Sequence, residues 1–428
     1  MGILGFGKNK KKITNADSAK DKKYLIIGGG AAGIEAAKTI RENDESAIID
    51  IVMKDDSVHS RCMLHKFISG ERDTDTVSFI TEDFAEKNKI SFHSGCEVKN
   101  IDTVDKEVSL SNGEKLNYDK LLIATGSNGA VPPVGAFKTA SNVHCFRHLS
   151  EAESIKEALG NANKIVVVGA GLVGIDAAYG LLEIGKDVTV VEMAERIIPL
   201  QLNDEASNEY KALFEAHGCK FKLGIGVKDT EVDENGKIIS LILADDTKLE
   251  CDMVIVAAGE RAAIEGLADT GIEVERFVKV DDHMRTNVKD VFAAGNVTGL
   301  SGTWPNAKKQ AHVAAINMTG GDEVYEDTYA LKNTMNFYGL ATLSLGMGKV
   351  NDGDEEIVQN DMHGYRRAII RDGKLDSIIL QGNMDYSGIY QYLIKNNIDI
   401  SKFKDRIFKL TFADFYGIDE KGAYVFTA

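Results

Sequence analysis

The sequence predicts an α/β protein: two three-layer domains, each built on a parallel sheet, followed by a C-terminal α+β domain. Three observations carry this. A cluster of glycines with one spacing occurs twice, as Gly28, Gly30 and Gly33 in YLIIGGGAAGIEAA and, 141 positions later, as Gly169, Gly171 and Gly174 in KIVVVGAGLVGIDAA. Each cluster lies between a run of aliphatic residues and an alanine-rich segment, so each reads strand, tight turn, helix. Beyond about Met335 the pattern changes to short alternating strands around a turn at Asp372-Gly373.

In chain order, residues 1–23 form a basic leader with seven lysines and two aspartates. It holds no apolar stretch long enough for a signal peptide, and no run elsewhere approaches the ~20 residues of a membrane span. A solvated, disordered tail is expected; the alternative is that Ile3, Leu4 and Phe6 with the lysines touch a membrane surface or a partner. Residues 24–148 and 282–332 are assigned to the first domain, and 149–281 to the second. The strand before Gly28 is answered by one at 49–52, and 118–123 is a buried strand ending in Thr125-Gly126, before Pro132 and Pro133 mark the exit. The second domain repeats the pattern with strands at 165–168, 187–191 and 253–257, the last running to Gly259. The chain then crosses back: DVFAAGN repeats strand-then-glycine at Gly295 and Asn296, and 305–318 reads as a helix opened by Pro305. Residues 333–428 make the third domain, with a hairpin joining 368–370 to 378–380 and a helix near 386–395.

The chemistry starts from the glycines. The first of each cluster makes the turn, the second lets a diphosphate approach the backbone, and the third lets the helix pack on the strand. The diphosphate then rests on free N–H groups at the helix start, where the helix dipole favours negative charge. Two Rossmann-like turns therefore predict two bound dinucleotides. In the second copy the strand at 187–191 ends in Glu192, where a ribose 2′-hydroxyl is expected, and a carboxylate there repels a 2′-phosphate. NADH is thus favoured over NADPH. In the first copy the matching strand runs into Met53 and Lys54, with acids only at Asp55 and Asp56, and no ribose contact is assigned.

A formal net charge of −16 argues against nucleic-acid binding. The five cysteines, at 62, 96, 145, 219 and 251, form no CxxC. That spacing excludes a rubredoxin-type iron site, a compact cysteine-ligated cluster and the usual paired redox disulfide; no metal site is expected, and the expected compartment is a reducing cytoplasm.

Together these residues resemble the FAD- and NAD(P)H-dependent pyridine nucleotide-disulfide oxidoreductase superfamily over about 24–428, most specifically in the two fingerprints, YDKLLIATGS, DVFAAGN and WPNAKKQAHVAAINM. The branch it looks most similar to is that of the NADH:rubredoxin reductases and the NADH-oxidising part of assimilatory nitrite reductases. The resemblance implies FAD on Gly28, Gly30 and Gly33, with Arg61, Thr125, Gly126, Gly295, Asn296 and Pro305 around it. It implies NADH on Gly169, Gly171, Gly174, Glu192 and Gly259, and a C-terminal domain that closes over the flavin and often contributes to a homodimer. The segment Arg61-Cys62-Met63-Leu64-His65-Lys66 is similar to the family's RPxLSK element, which implies Lys66 near the flavin, paired with an acid that here is Asp176. Asn296 stands where the family carries Asp.

The leading functional expectation is transfer of electrons from NADH through FAD to a redox-carrier protein such as rubredoxin. A rival uses Cys62, eight residues before Gly70, as the single thiol of an NADH oxidase, peroxidase or coenzyme A-disulfide reductase with a small oxidant as acceptor. Lys66, His59 and His65 near it in sequence would lower its pKa. Against the rival, Ala31 occupies the place where those enzymes carry a histidine. A third reading is a flavin-binding sensor or subunit without turnover.

Overall fold

The computed structural model describes residues 21–326, 332–346 and 348–426, so residues 1–20 of the basic leader lie outside it. The chain opens with β1 (Lys23–Ile27), α1 (Ala31–Asn43) and β2 (Ile48–Val52), then a short helix α2 (Leu64–Ile68), β3 (Ile90–His93) and β4 (Lys120–Ile123). Next come β5 (Val143–Cys145), β6 (Lys164–Val168), α3 (Leu172–Glu183), β7 (Asp187–Val191), α4 (Asp204–Ala216), β8 (Lys220–Lys222) and β9 (Met253–Val256). β10 (Val291–Ala293) and α5 (Trp304–Met318) follow. The last part holds β11 (Lys332–Phe337), β12 (Leu340–Leu345), β13 (Glu355–Asp361), β14 (Gly364–Arg371), β15 (Lys374–Gly382) and α6 (Gly388–Lys395).

These elements form two units. The first takes residues 21–60, Ser78–Asn128 and 261–326, and the second takes Arg61–Val77, Gly129–Glu260 and the chain from 332 onward. The return to the first unit thus comes at Arg261, ahead of the expected 282, and residues 61–77 belong to the second unit.

The first unit is built on a parallel sheet in the order β10-β4-β1-β2-β3. Its inner strands β1 and β4 are mostly aliphatic and buried, as strands of a parallel sheet covered on both faces are. On one face Ile34, Ala36, Ala37 and Ile40 of α1 meet Ala307, Ala311, Ala314 and Met318 of α5 in one buried cluster. Alanines at the crossing let the two helices lie close, and each fully buried isoleucine such as Ile26 or Ile40 contributes roughly 2 kcal/mol.

The second unit repeats the sheet in the order β8-β7-β6-β9-β5, again parallel. Its fifth strand comes from earlier in the chain, whereas that of the first unit comes from later. The antiparallel C-terminal sheet, ordered β11-β12-β15-β14-β13, belongs to this unit. The hairpin expected at Asp372-Gly373 is present, with positive φ at both residues and Arg371 opposite Lys374. Both faces of this sheet are covered. Leu343, Ala368, Ile370 and Leu380 pack under Ile389, Tyr390 and Leu393 of α6. Phe337, Tyr365 and Ile379 point the other way, onto Tyr210 and Phe214 of α4. The Tyr210 hydroxyl donates to the Leu340 carbonyl at 2.6 Å.

Candidate functional site

The two glycine turns are built alike. Gly28 (φ +118°) and Gly169 (φ +107°) hold a backbone conformation that a side chain resists. A Cβ on Gly28 would stand 2.2 Å from the Ala124 carbonyl oxygen, and one on Gly169 2.4 Å from that of Ala257. The third glycines close each turn: a Cβ on Gly33 would lie 1.8 Å from the Gly28 oxygen, and one on Gly174 1.9 Å from the Gly169 oxygen. The middle glycines are different, because a Cβ on Gly30 or Gly171 would meet nothing within 4 Å. Both are the N-caps of their helices, and no side chain caps either helix start. Open space beside uncapped N–H groups at the positive end of a helix is the donor set a diphosphate needs, so both turns fit a dinucleotide.

One side chain distinguishes them. Directly after β7, the Glu192 carboxylate accepts from the Ala170 N–H at 2.7 Å and from the Ala194 N–H at 2.8 Å, which fixes it at the turn. Directly after β2 the residue is Met53, 5% exposed, and a Cβ on Gly29 would stand 2.5 Å from its sulfur.

Around the first turn, the first unit gathers the other expected residues. Thr125 Oγ1 donates to the Ala263 carbonyl at 2.7 Å, and Gly126 turns the chain with φ +71°. Gly295 (φ +87°) lies between two helix starts, since a Cβ there would be 3.2 Å from that of Ala32 and 3.8 Å from that of Ala307. Its N–H donates to Oε1 of the buried Gln310 at 2.8 Å. Asn296 Nδ2 donates to Ser127 Oγ at 3.4 Å. Pro305 falls in the first turn of α5, where its missing N–H costs nothing, and Thr303 does not cap that helix. The Thr303 hydroxyl donates instead to Asn306 Oδ1 at 3.0 Å. Two uncapped helix starts therefore converge on Gly295.

In the second unit α2 lies against α3, and Gly180 permits this: a Cβ there would be 2.5 Å from the His65 carbonyl oxygen. The approach sets His65 beside Asp176, one turn before Gly180, with Nδ1 3.8 Å from the carboxylate. Lys66 does not pair with Asp176. Its ammonium meets Glu71 at 2.6 Å, because the lysine follows the chain into the next loop while His65 occupies the face turned to α3. Burial pushes the Asp176 carboxyl up to about 8, although 27% of its side chain is exposed. Burial, then the nearby Lys66 charge, pushes His65 down to about 4. Near neutral pH this pair carries no net charge.

Cys62 begins the same segment, flanked by Arg61, with an exposed residue surface. The expected lowering of its pKa is not found. Burial of the sulfur, then the Asp176 charge, raises the thiol above its ordinary value, outweighing Arg147 and Arg61. Lys66 is engaged by Glu71, and His65 stays neutral, so neither supplies a compensating cation. Sequence reasoning also missed Arg147 and Glu260, an ion pair at 2.6 Å immediately after Gly259 (φ +106°). Neither residue belongs to a recognisable motif, and only the folded strand ends bring them together.

The comparisons with known proteins agree with this geometry. A family model described as pyridine nucleotide-disulphide oxidoreductase matches residues 22–311. The chain belongs to that family. It is accordingly an FAD-dependent NADH oxidoreductase. A second model, the rubredoxin NAD+ reductase C-terminal domain, matches residues 332–398. Among relatives, the NADH-dependent phenylglyoxylate dehydrogenase subunit epsilon of Aromatoleum evansii is 31% identical over 398 residues, covering 90% of this chain and 94% of the relative. The NADH-rubredoxin oxidoreductase of Clostridium acetobutylicum is 26% identical over 396 residues, covering 91% and 98%. Against the assimilatory nitrate reductase electron transfer subunit of Bacillus subtilis the identity is 28% over 401 residues, and the match covers 91% of this chain but only 51% of that protein. The fold matches a crystal structure of a covalent putidaredoxin reductase–putidaredoxin complex with a TM-score of 0.78 at 24% identity, covering 88% of this chain and 94% of the other.

Proposed function

We propose that this protein oxidises NADH at FAD and delivers the electrons to a small redox-carrier protein of the rubredoxin type, working as a cytoplasmic homodimer. The observation that carries the reading is the pair of equivalent glycine cradles, of which the second has the Glu192 carboxylate directly after its second strand where the first has Met53. FAD, when bound, supplies the conversion of a two-electron donor into one-electron steps. The chain's own residues bind and orient. Gly28, Gly30, Gly33, Thr125, Gly126, Gly295, Asn296 and Pro305 hold the flavin nucleotide. Gly169, Gly171, Gly174, Glu192 and Gly259 hold NADH. Lys66 is anchored by Glu71, and Asp176 with His65 presents a neutral face two residues beyond the nicotinamide fingerprint.

The match of residues 332–398 to a rubredoxin reductase C-terminal domain and the printed name of the Clostridium relative support a rubredoxin-type acceptor. The raised Cys62 pKa speaks against a thiol carrier. Among the described residues no helix is long and apolar enough to cross a membrane. All five cysteines are free thiols, which suits a reducing compartment.

The test is NADH oxidation by the purified protein with rubredoxin, peroxide, coenzyme A disulfide and oxygen offered in turn, beside light scattering for the dimer. Rapid turnover with rubredoxin alone is expected. Turnover confined to peroxide, oxygen or the disulfide would overturn the acceptor.

One observation favours a second reading, in which the same chemistry serves as a subunit of a larger dehydrogenase, as the name of the Aromatoleum relative describes. Residues 399–426 lie beyond the matched C-terminal domain and expose Phe412, Tyr416, Ile418 and Tyr424. On that reading the isolated chain is bleached by NADH but turns over slowly with free rubredoxin.

A further inference from the structure

The two dinucleotide turns can be superposed bond by bond. Gly28 and Gly169 each donate to the last carbonyl of the neighbouring strand, Val52 or Val191, at 2.8 Å. Ile27 lies opposite Val52 and Val168 opposite Val191 in the two parallel registers. The next residue donates onward to the third strand, Met53 to the His93 carbonyl at 3.0 Å and Glu192 to the Lys222 carbonyl at 2.9 Å. Met53 therefore stands in the place of Glu192, and Gly29 in the place of Ala170. In the second turn the carboxylate accepts the Ala170 N–H. In the first, Met53 fills that space with a thioether, and the Gly29 N–H donates to no acceptor among the described residues.

This assigns different work to the two turns. A carboxylate after the second strand binds ribose hydroxyls and repels a 2′-phosphate. A buried methionine does neither, since a thioether is at most a weak acceptor and carries no charge. We infer that the first site selects its nucleotide by the diphosphate and the flavin end and is indifferent to the hydroxyls of the adenosine ribose, whereas the second site reads them. Asp56 does not restore the contact. A Cβ on Gly95 would lie 2.7 Å from Asp56 Oδ1, so that side chain is turned to the loop after β3.

The inference rests on the first turn holding FAD, and the test separates the two. The full-length protein is equilibrated with an equimolar mixture of FAD and its analogue lacking both adenosine ribose hydroxyls, and the bound flavins are released and quantified. The wild type is expected to hold both within threefold of each other. Met53→Glu, which places a carboxylate in reach of the Gly29 N–H, is expected to shift the ratio about tenfold toward FAD. A wild-type preference for FAD beyond threefold, or a folded Met53→Glu protein with an unshifted ratio, overturns the inference. Should Met53→Glu fail to retain flavin, the wild-type ratio decides alone. Retention of neither flavin by the wild type would refute the FAD assignment itself.

Discussion

The glycine turns at 28–33 and 169–174 agree in their hydrogen bonds to within a tenth of an ångström, yet they differ in the side chain that follows the second strand. What is shared is what backbone geometry dictates. A helix start can approach a strand end and leave room for a diphosphate in few ways, and each way demands glycine at the same places. What differs is what a particular ligand demands. A second contrast lies one turn into the helices. Glu35 of α1 meets the Lys308 ammonium at 3.0 Å, whereas Asp176, the same two residues past the third glycine, lies beside neutral His65, 3.8 Å away.

The largest effects should come from filling the shared backbone. Gly33→Ala puts a methyl 1.8 Å from the Gly28 carbonyl oxygen and Gly174→Ala one 1.9 Å from that of Gly169. Neither neighbour is a flexible side chain, so each should cost more than ~3 kcal/mol locally. Gly33→Ala is expected to purify without flavin absorbance. Gly174→Ala should stay yellow and resist bleaching by NADH. If both variants lost the same nucleotide, the division of labour between the turns would be wrong.

The next effect tests the side-chain difference. Glu192→Met makes the second turn like the first, and it should weaken NADH binding by roughly 10- to 100-fold, since an acceptor for both the ribose and the Ala170 N–H disappears. NADPH binding should fall much less, because the repulsion of its 2′-phosphate goes with the carboxylate. Flavin content should not change. Stopped-flow measurement of the NADH concentration dependence of bleaching gives the numbers, and an unaltered NADH/NADPH ratio would remove Glu192 from specificity.

These differences mark how far the sequence could be read. The fingerprints were legible because they are local: three glycines between an aliphatic run and an alanine-rich helix require no partner to be recognised. The hairpin at Asp372-Gly373 was legible for the same reason. The ribose position of the first site was not, since counting forward from Gly28 reaches Met53, Lys54, Asp55 and Asp56 with equal plausibility. Only the pairing of Ile27 with Val52 fixes which residue comes first off the strand. The expected Lys66–Asp176 pair failed for a related reason. Lys66 and His65 are adjacent, and the roll of a short helix against Gly180 decides which of them faces Asp176. The covering of both faces of the C-terminal sheet depends likewise on packing that no local pattern declares.

A smaller effect tests the second contrast. Burial holds the Asp176 carboxyl at about 8, against roughly 4 in an unfolded chain. Below the unfolded value both states carry the proton. Between the two, the unfolded chain has lost a proton that the folded chain keeps, so stability falls as pH rises from ~4 to ~8. Asp176→Asn removes that loss. It should match the wild type near pH 4 and exceed it at pH 8.5 by about 2–4 kcal/mol, less than the full shift implies because part of the side chain is solvated. Thermal melts across that range would show the gap opening with pH. Glu35→Gln, which breaks an ion pair with Lys308, should show no such gain at high pH. Parallel melts of the wild type and Asp176→Asn at all pH values would mean that the Asp176 carboxylate is compensated by something other than His65.

The smallest effect is expected at Cys62. If both turns serve nucleotides and the electrons leave by a protein carrier, the thiol is a bystander, and its raised pKa fits that role. Cys62→Ser should then change turnover with rubredoxin or a one-electron dye by less than about twofold, since a hydroxyl of similar size replaces a thiol that takes no part in the transfer. The same variant separates the rival sharply. On the rival reading the thiol forms a sulfenic acid with peroxide, or a mixed disulfide with a disulfide substrate whose other half leaves as a thiol, so loss of those activities with Cys62→Ser, while NADH still bleached the flavin, would move the electrons' exit from a docking surface to the sulfur.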